Sequence, residues 1–238
     1  MVSARTAEAD VMVSALMSTA IDGDPDTYEE AMASDEKELW KAAIREECTS
    51  IIRDKTFAQV SNFTGRIPSR PIGSKWVFKT KRNPDGTIRY KVRLVIEGYM
   101  QSDWGETYAP VGKLASFRYL ASLAAGLGLA IDHMDVVTAF LNPEVDDPDL
   151  YMAIPEGWDS GSGNNSEVSA GSIVRLRKAL YGLKQAPRLW YKDINEFLQS
   201  LEFVQSHADP NVYIHGKANT RMLLLLYVDN ISLAYPRT

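Results

Sequence analysis

Six apolar side chains in succession, Met222, Leu223, Leu224, Leu225, Leu226 and Tyr227, constrain this chain more than any other stretch. An unbroken apolar run of strand length fits a strand buried on both faces, which requires packed layers above and below a sheet. Val228, Asp229 and Asn230 follow, and residues 231–235 resume a mainly apolar run. The pattern reads as strand, tight turn, strand. Asp and Asn are common turn residues, so an ordinary hairpin turn accounts for them. A carboxylate beside a dry sheet is costly unless a positive group meets it. That second property makes Asp229 a candidate functional residue.

The chain has 238 residues, 45% hydrophobic and 24% charged, which suits a globular protein of one large or two small domains. Its single cysteine, Cys48, excludes an internal disulfide and suits a reducing compartment. His133, His207 and His215 have no zinc-ligand spacing. No apolar run approaches the roughly 20 residues that span a bilayer. Residues 11–20 are mildly apolar, but Glu8 and Asp10 stand where a basic leader belongs, so no signal peptide is expected.

A net charge of −5 argues against a wholly basic nucleic-acid binder. The distribution is uneven, however. Residues 75–93 carry seven basic side chains and one acid, and residues 175–192 carry six basic side chains and no acid. Two such segments in an acidic chain present a polyanion site or, in the plainer reading, two solvated faces.

Residues 1–26 have weak periodicity and end in Asp22-Gly23-Asp24-Pro25-Asp26, as in a poorly ordered tail or linker. Thr27 and Glu30 have the spacing of a capping box. A helix is predicted over 35–54, with Trp40, Ile44, Cys48 and Ile51 as its buried stripe. Residues 66–71 read as a loop. Two strands, 75–81 and 87–97, flank the turn signal Asn83-Pro84-Asp85-Gly86. Alternation puts Ile88, Tyr90, Val92, Leu94 and Ile96 on one face of the second strand. Arg89, Lys91 and Arg93 fall on the other, and Lys75, Lys79 and Lys81 share a face of the first strand.

Ser116 is a candidate cap for a helix to Leu127, with Leu120, Leu123, Ala124 and Leu127 inward and Gly128 at its end. Residues 129–136 read as a strand with Asp135 at its end, and 138–142 as a short helical turn. Residues 159–171, rich in Gly, Ser and Asn, read as a surface loop. A strand at 173–177 precedes a helix opened by Pro187 and running to Leu201. Its expected inward residues are Leu189 or Trp190, Ile194, Phe197, Leu198 and Leu201. Residues 212–214 and 222–227 read as paired strands.

Five motifs occur in one order: Lys75-Trp76-Val77-Phe78-Lys79; Tyr90-Lys91-Val92-Arg93-Leu94-Val95; Met134-Asp135 through Phe140-Leu141-Asn142; Ala179-Leu180-Tyr181-Gly182-Leu183-Lys184-Gln185-Ala186-Pro187-Arg188; and Tyr227-Val228-Asp229-Asn230. The series resembles the reverse transcriptase domain of copia-type LTR retrotransposons, from about residue 28 onward. The resemblance implies an α+β right-hand polymerase fragment with an antiparallel sheet and packed helices. Its fingers would span 27–130 and its palm 131–238, with no thumb.

It also implies RNA-directed DNA polymerase chemistry with two magnesium ions, manganese being the alternative ion. Such ions lower the pKa of an attacking hydroxyl and stabilise the attacking and leaving oxygens. Asp135 and Asp229 would bind them. Lys79, Lys91 and Arg93 would lie over the triphosphate. Phe140 would close off the 2′ side of the sugar, and Tyr181 and Gln185 would lie beneath the nascent base pair. The implied partners are an RNA or DNA template-primer and deoxynucleoside triphosphates, with no membrane. The implied location is a cytoplasmic virus-like particle or the nucleus.

Asn230 departs from the Asp-Asp pair that ends the family's last motif, and Glu97 stands where lysine is usual. Both, with the early end of the chain, give the expectation of a truncated copy with impaired catalysis. A catalytically dead nucleic-acid-binding remnant is the alternative. An unrelated α+β interaction domain, in which Asp229 only makes a turn, is the third reading.

Overall fold

The computed structural model describes residues 23–59, 70–83, 85–101, 105–159 and 168–237. In chain order the helices are α1 (Tyr28–Ala33), α2 (Lys37–Arg53), α3 (Leu114–Leu127) and α4 (Ala186–Ser200). The strands are β1 (Phe57–Gln59), β2 (Ser74–Arg82), β3 (Ile88–Ile96), β4 (Ala130–Asp135), β5 (Tyr151–Ala153), β6 (Ile173–Leu176), β7 (Val204–Gln205), β8 (Val212–His215), β9 (Met222–Tyr227) and β10 (Asn230–Tyr235). Among the described residues these strands form a five-stranded sheet β4-β10-β9-β8-β7, a three-stranded sheet β1-β6-β5 and the hairpin β2-β3. Every pairing between them is antiparallel. The result is the mixed α+β architecture with antiparallel sheets that the sequence predicts.

The leucine run takes the interior place its composition requires. β9 lies between β10 and β8, and its four leucines are buried. Leu224 and Leu226 pack on one side with Trp190, Ile194 and Leu198 of α4. Leu223 and Leu225 pack on the other with Leu120 and Ala124 of α3. Burying each such side chain contributes about 1.5–3 kcal/mol, so this strand fixes both helices against the sheet.

The hairpin forms a second core. Trp76, Phe78, Val92, Leu94 and Ile96 turn inward and join Trp40, Ile44, Cys48 and Ile51, the predicted stripe of α2. Trp40 meets Phe78 and Tyr90 edge-on, with ring centroids 5.3 and 4.7 Å apart. At the hairpin tip Asn83 exchanges backbone bonds with Thr87 and Gly86, and Gly86 takes a φ of +85° that a side chain would resist. At its base the Ile96 N–H donates to the Tyr181 carbonyl at 2.8 Å. There Gly98 lies so close to Gly182 that a Cβ would come within 2.0 Å of the Gly182 carbonyl oxygen. This backbone weld fixes the hairpin against the loop that carries Tyr181.

Several local expectations are corrected. Leu127, Phe197 and Leu201 are 65%, 55% and 48% exposed, and Ile88, at the start of β3 beside the hairpin turn, is 49% exposed. Ser116 does not cap α3. Lys113 occupies that position without a side-chain bond, and the Ser116 hydroxyl donates to Asp209 instead. Thr27 does accept from the Glu30 N–H, while the Glu30 carboxylate accepts from the Asp26 N–H, giving the short helix α1 its start. Residues 1–22 and most of the loops expected at 66–71 and 159–171 lie outside the described residues. Asp24 is anchored on the hairpin, its carboxylate accepting from the Thr80 N–H and hydroxyl and from Lys79. No helix among the described residues is long and apolar enough to cross a membrane.

Candidate active site

β10 is hydrogen-bonded to both β4 and β9, and this brings two distant acids together. Asp135 ends β4, and its Cα partner is Asn230, the first residue of β10. Asp229 precedes it in the turn after β9, and the Val136 N–H donates to the Asp229 carbonyl at 2.8 Å. The turn is strained at Val228, whose φ of +58° is costly for a β-branched residue. The Trp190 indole N–H donates to the Val228 carbonyl at 2.7 Å. Helix α4 therefore holds the turn from beneath, by a bond to backbone as well as by packing.

Asn230 is tied to both neighbours. Its amide nitrogen donates to Asp229 Oδ1 at 2.9 Å, and its amide oxygen lies 3.1 Å from His133 Nε2. A carboxylate only accepts, so the NH₂ must face Asp229, the amide oxygen faces His133, and the imidazole donates from Nε2. Among the described residues, no three His, Cys, Asp or Glu are grouped as metal ligands.

Asp135 and Asp229 line one wall of a cleft of about 680 Å³. Arg89, Lys91 and Arg93 of β3 line another, with Tyr181 between. The third wall is α2, which contributes Arg45, Glu46, Glu47, Thr49, Ser50 and Arg53. Arg89 pairs with Glu46 at 3.0 Å, an exposed pair that contributes little. Lys91 makes no salt bridge among the described residues. Burial, then the charges of Arg93, Lys81 and Arg89, push its ammonium below the ordinary lysine value. The Arg93 guanidinium lies 5.0 Å from the Tyr181 ring centroid, and its buried Nε has no hydrogen-bond partner among the described residues. Burial pushes the Tyr181 hydroxyl up. Lys91, with no ion pair among the described residues, and Arg93, with an unpartnered Nε, thus concentrate positive charge on the cleft wall, which favours a negatively charged occupant.

The resemblance implies six substrate contacts, and the structure distributes them unevenly. Lys91, Arg93 and Tyr181 line the cleft. Phe140 stands behind, edge-on to Tyr181 at 5.4 Å, beside a small apolar cavity that also touches Trp190 and Val228. Lys79 is absent from the cleft lining and pairs with Asp24 at 3.2 Å. Gln185 is buried at the start of α4 and accepts from the Gln101 amide at 3.1 Å. Gln101 in turn accepts from the Lys184 N–H, so Gln185 serves as a brace within the loop. Sequence reasoning missed the α2 wall. Its one signal was Glu47, three residues after Ile44 and four before Ile51, an acid set in an apolar stripe.

A sequence profile described as reverse transcriptase (RNA-dependent DNA polymerase) matches residues 54–236. The chain is 37% identical over 215 residues to the retrovirus-related Pol polyprotein from transposon TNT 1-94 of Nicotiana tabacum, covering 88% of this chain and 15% of that protein. It is 35% identical over 225 residues to the Pol polyprotein from transposon RE1 of Arabidopsis thaliana, covering 90% of this chain and 14% of that one. A transposon Ty1-H Gag-Pol polyprotein of Saccharomyces cerevisiae is 30% identical over 183 residues, or 72% of this chain and 9% of the relative. The chain thus spans about a seventh of the length of the plant relatives it matches.

Proposed function

The chain belongs to the reverse transcriptase (RNA-dependent DNA polymerase) family, and from that premise we propose that it is the DNA-synthesising portion of a retrotransposon Pol polyprotein. It would act by nucleotidyl transfer at Asp135 and Asp229, with activity lowered by Asn230. One observation carries this reading: two acids 94 positions apart in sequence share a cleft with Arg89, Lys91 and Arg93. In right-hand terms the hairpin and α2 would form the fingers, and the five-stranded sheet with α4 the palm; α3, within the 27–130 expected for the fingers, packs on the palm sheet and is better grouped with it.

The reaction joins a primer 3′-hydroxyl oxygen to the α-phosphorus of a deoxynucleoside triphosphate. The bond to pyrophosphate breaks, and the hydroxyl proton leaves to water. Lys91 and Arg93 bind the triphosphate and hold the charge that builds on the pyrophosphate oxygens. Tyr181 keeps Arg93 in place through its ring face and forms the floor under the incoming base. Phe140 supports that floor and limits room at the sugar's 2′ side. Gln185 and Lys79 act at one remove, by bracing the loop and by tying the hairpin to Asp24.

Asp135 and Asp229 are hard oxygen donors and suit magnesium, which takes one or two protein carboxylates and completes its shell with water and phosphate oxygens. When bound, such ions lower the pKa of the attacking hydroxyl and stabilise the leaving oxygens. Asn230 brings no charge to this set, and its amide already engages one Asp229 oxygen. The same bond supports a second reading, a nucleic-acid-binding domain without catalysis.

Primer extension on a homopolymer template, with magnesium and with manganese, tests the proposal. The expected result is weak extension that Asp135→Ala abolishes. Salt-dependent binding of an RNA–DNA duplex with no extension under either metal would favour the second reading. Robust synthesis unaffected by Asp135→Ala would contradict both.

A further inference from the structure

Glu47 has no part in the reaction above, yet it stands in the cleft wall. It is half-buried on α2, within the apolar stripe that packs on the hairpin. β3 pairs only with β2 among the described residues, so no strand covers its other edge, where the Ile96 N–H donates to the Tyr181 carbonyl. The Leu94 N–H on that strand donates to Glu47 Oε1 at 3.1 Å. The groups facing the carboxylate are Lys91 and Arg93 of β3, Glu46 of its own helix and Tyr181 of the opposing loop.

We infer that Glu47 is a positioning residue that braces β3 at the cleft and acts as a built-in counter-anion to Lys91 and Arg93, thereby setting the strength of the triphosphate subsite. The inference rests on the nucleotide reading of the cleft and deepens it. Lys91 and Arg93 belong to a cluster of like charges, which repels itself when no anion is bound. Glu47 offsets that repulsion and keeps both side chains at the cleft. An arriving triphosphate must then share the cations with a carboxylate of its own sign, so the acid limits how tightly the polyphosphate, and the pyrophosphate product, are held. Burial pushes the Glu47 carboxyl above its usual range, while the Leu94 bond and the nearby cations oppose that rise. The side chain is therefore retained at a cost in solvation, which an exposed helix glutamate would not bear.

Glu47→Gln separates the two roles. Glutamine keeps an oxygen for the Leu94 N–H and nearly the same volume, but removes the charge. Titration calorimetry with inorganic tripolyphosphate and with dTTP, on the full chain, reads the effect. Both ligands should bind the Glu47→Gln protein about tenfold tighter than the wild type, the scale of one like charge in a partly buried cleft. The melting temperature should be retained. Glu47→Ala should melt lower, because it also loses the strand brace. Equal or weaker binding of both ligands by Glu47→Gln would overturn the inference while leaving the nucleotide site standing. Tightening confined to dTTP would also overturn it, because the gain would not lie at the phosphates. A wild type that binds neither ligand would instead overturn the nucleotide reading itself.

Discussion

The two walls of the cleft are built by different means. The acids sit on the five-stranded sheet, where β9 is buried on both sides and backbone register sets Asp135 beside Asn230. The cations sit on a two-stranded hairpin with only one face packed, and they reach the cleft by long side chains. Register fixes a short carboxylate to within a fraction of a residue step. A lysine or arginine on a half-exposed strand keeps rotamer freedom until something binds it. The acidic wall is therefore preorganised by the fold, whereas the basic wall depends on a few side-chain props: Tyr181 under Arg93, and Glu47 against Leu94.

Substitutions in each wall probe the contrast. Leu226→Ala, in the strand that both helices cover, should destabilise by about 2–5 kcal/mol in denaturant unfolding. A smaller loss would mean that the sheet is less rigid than its two-sided burial implies. Asn230→Asp should raise primer extension on the order of a hundredfold, comparable to restoring one charge-stabilising group at a reacting centre. No gain would show that the amide at this turn is not what limits catalysis. Trp190→Phe removes the donor to the Val228 carbonyl and should cost about 1–3 kcal/mol, read as a lower melting temperature. Arg93→Lys keeps the charge but loses the planar group over Tyr181, and should weaken triphosphate binding by only a few-fold.

The smallest effect is a slope. The Glu47 carboxyl is raised in the folded state, so the native protein binds more protons than the unfolded chain between the unfolded and folded values. Stability therefore falls as pH rises through that window, from the ordinary glutamate value upward. Glu47→Gln should flatten this part of the profile in melting curves against pH.

What could be read from the sequence follows the same division. The leucine run, the Asp229 turn and the alternating hairpin declare themselves because each is a long, regular pattern with one satisfactory burial. The capping pair Thr27 and Glu30 does so through local chemistry. The sheet of β1, β6 and β5 is barely legible, since strands of three or four residues carry too few alternations to signal. Phe197 fits the apolar repeat of α4 and Leu201 follows its last residue, yet both are exposed while Leu198 between them is buried, a distinction the helical repeat alone does not reveal. Lys79 is opposite Lys91 in register, as alternation requires, yet Asp24 engages it from 55 residues away. The α2 wall was hidden because glutamate and arginine on a helix resemble any solvated face. Gln185 was visible as part of a motif, but its partner Gln101 lies in an irregular segment with no pattern of its own.

A crystal structure of the chain with manganese and dTTP would decide whether the two acids hold metal beside a bound nucleotide, because manganese can be located by its anomalous signal. The expected result is a manganese peak bound by the carboxylates of Asp135 and Asp229, with the triphosphate lying against Lys91 and Arg93. A peak elsewhere, or a nucleotide that leaves the hairpin's basic face untouched, would contradict it.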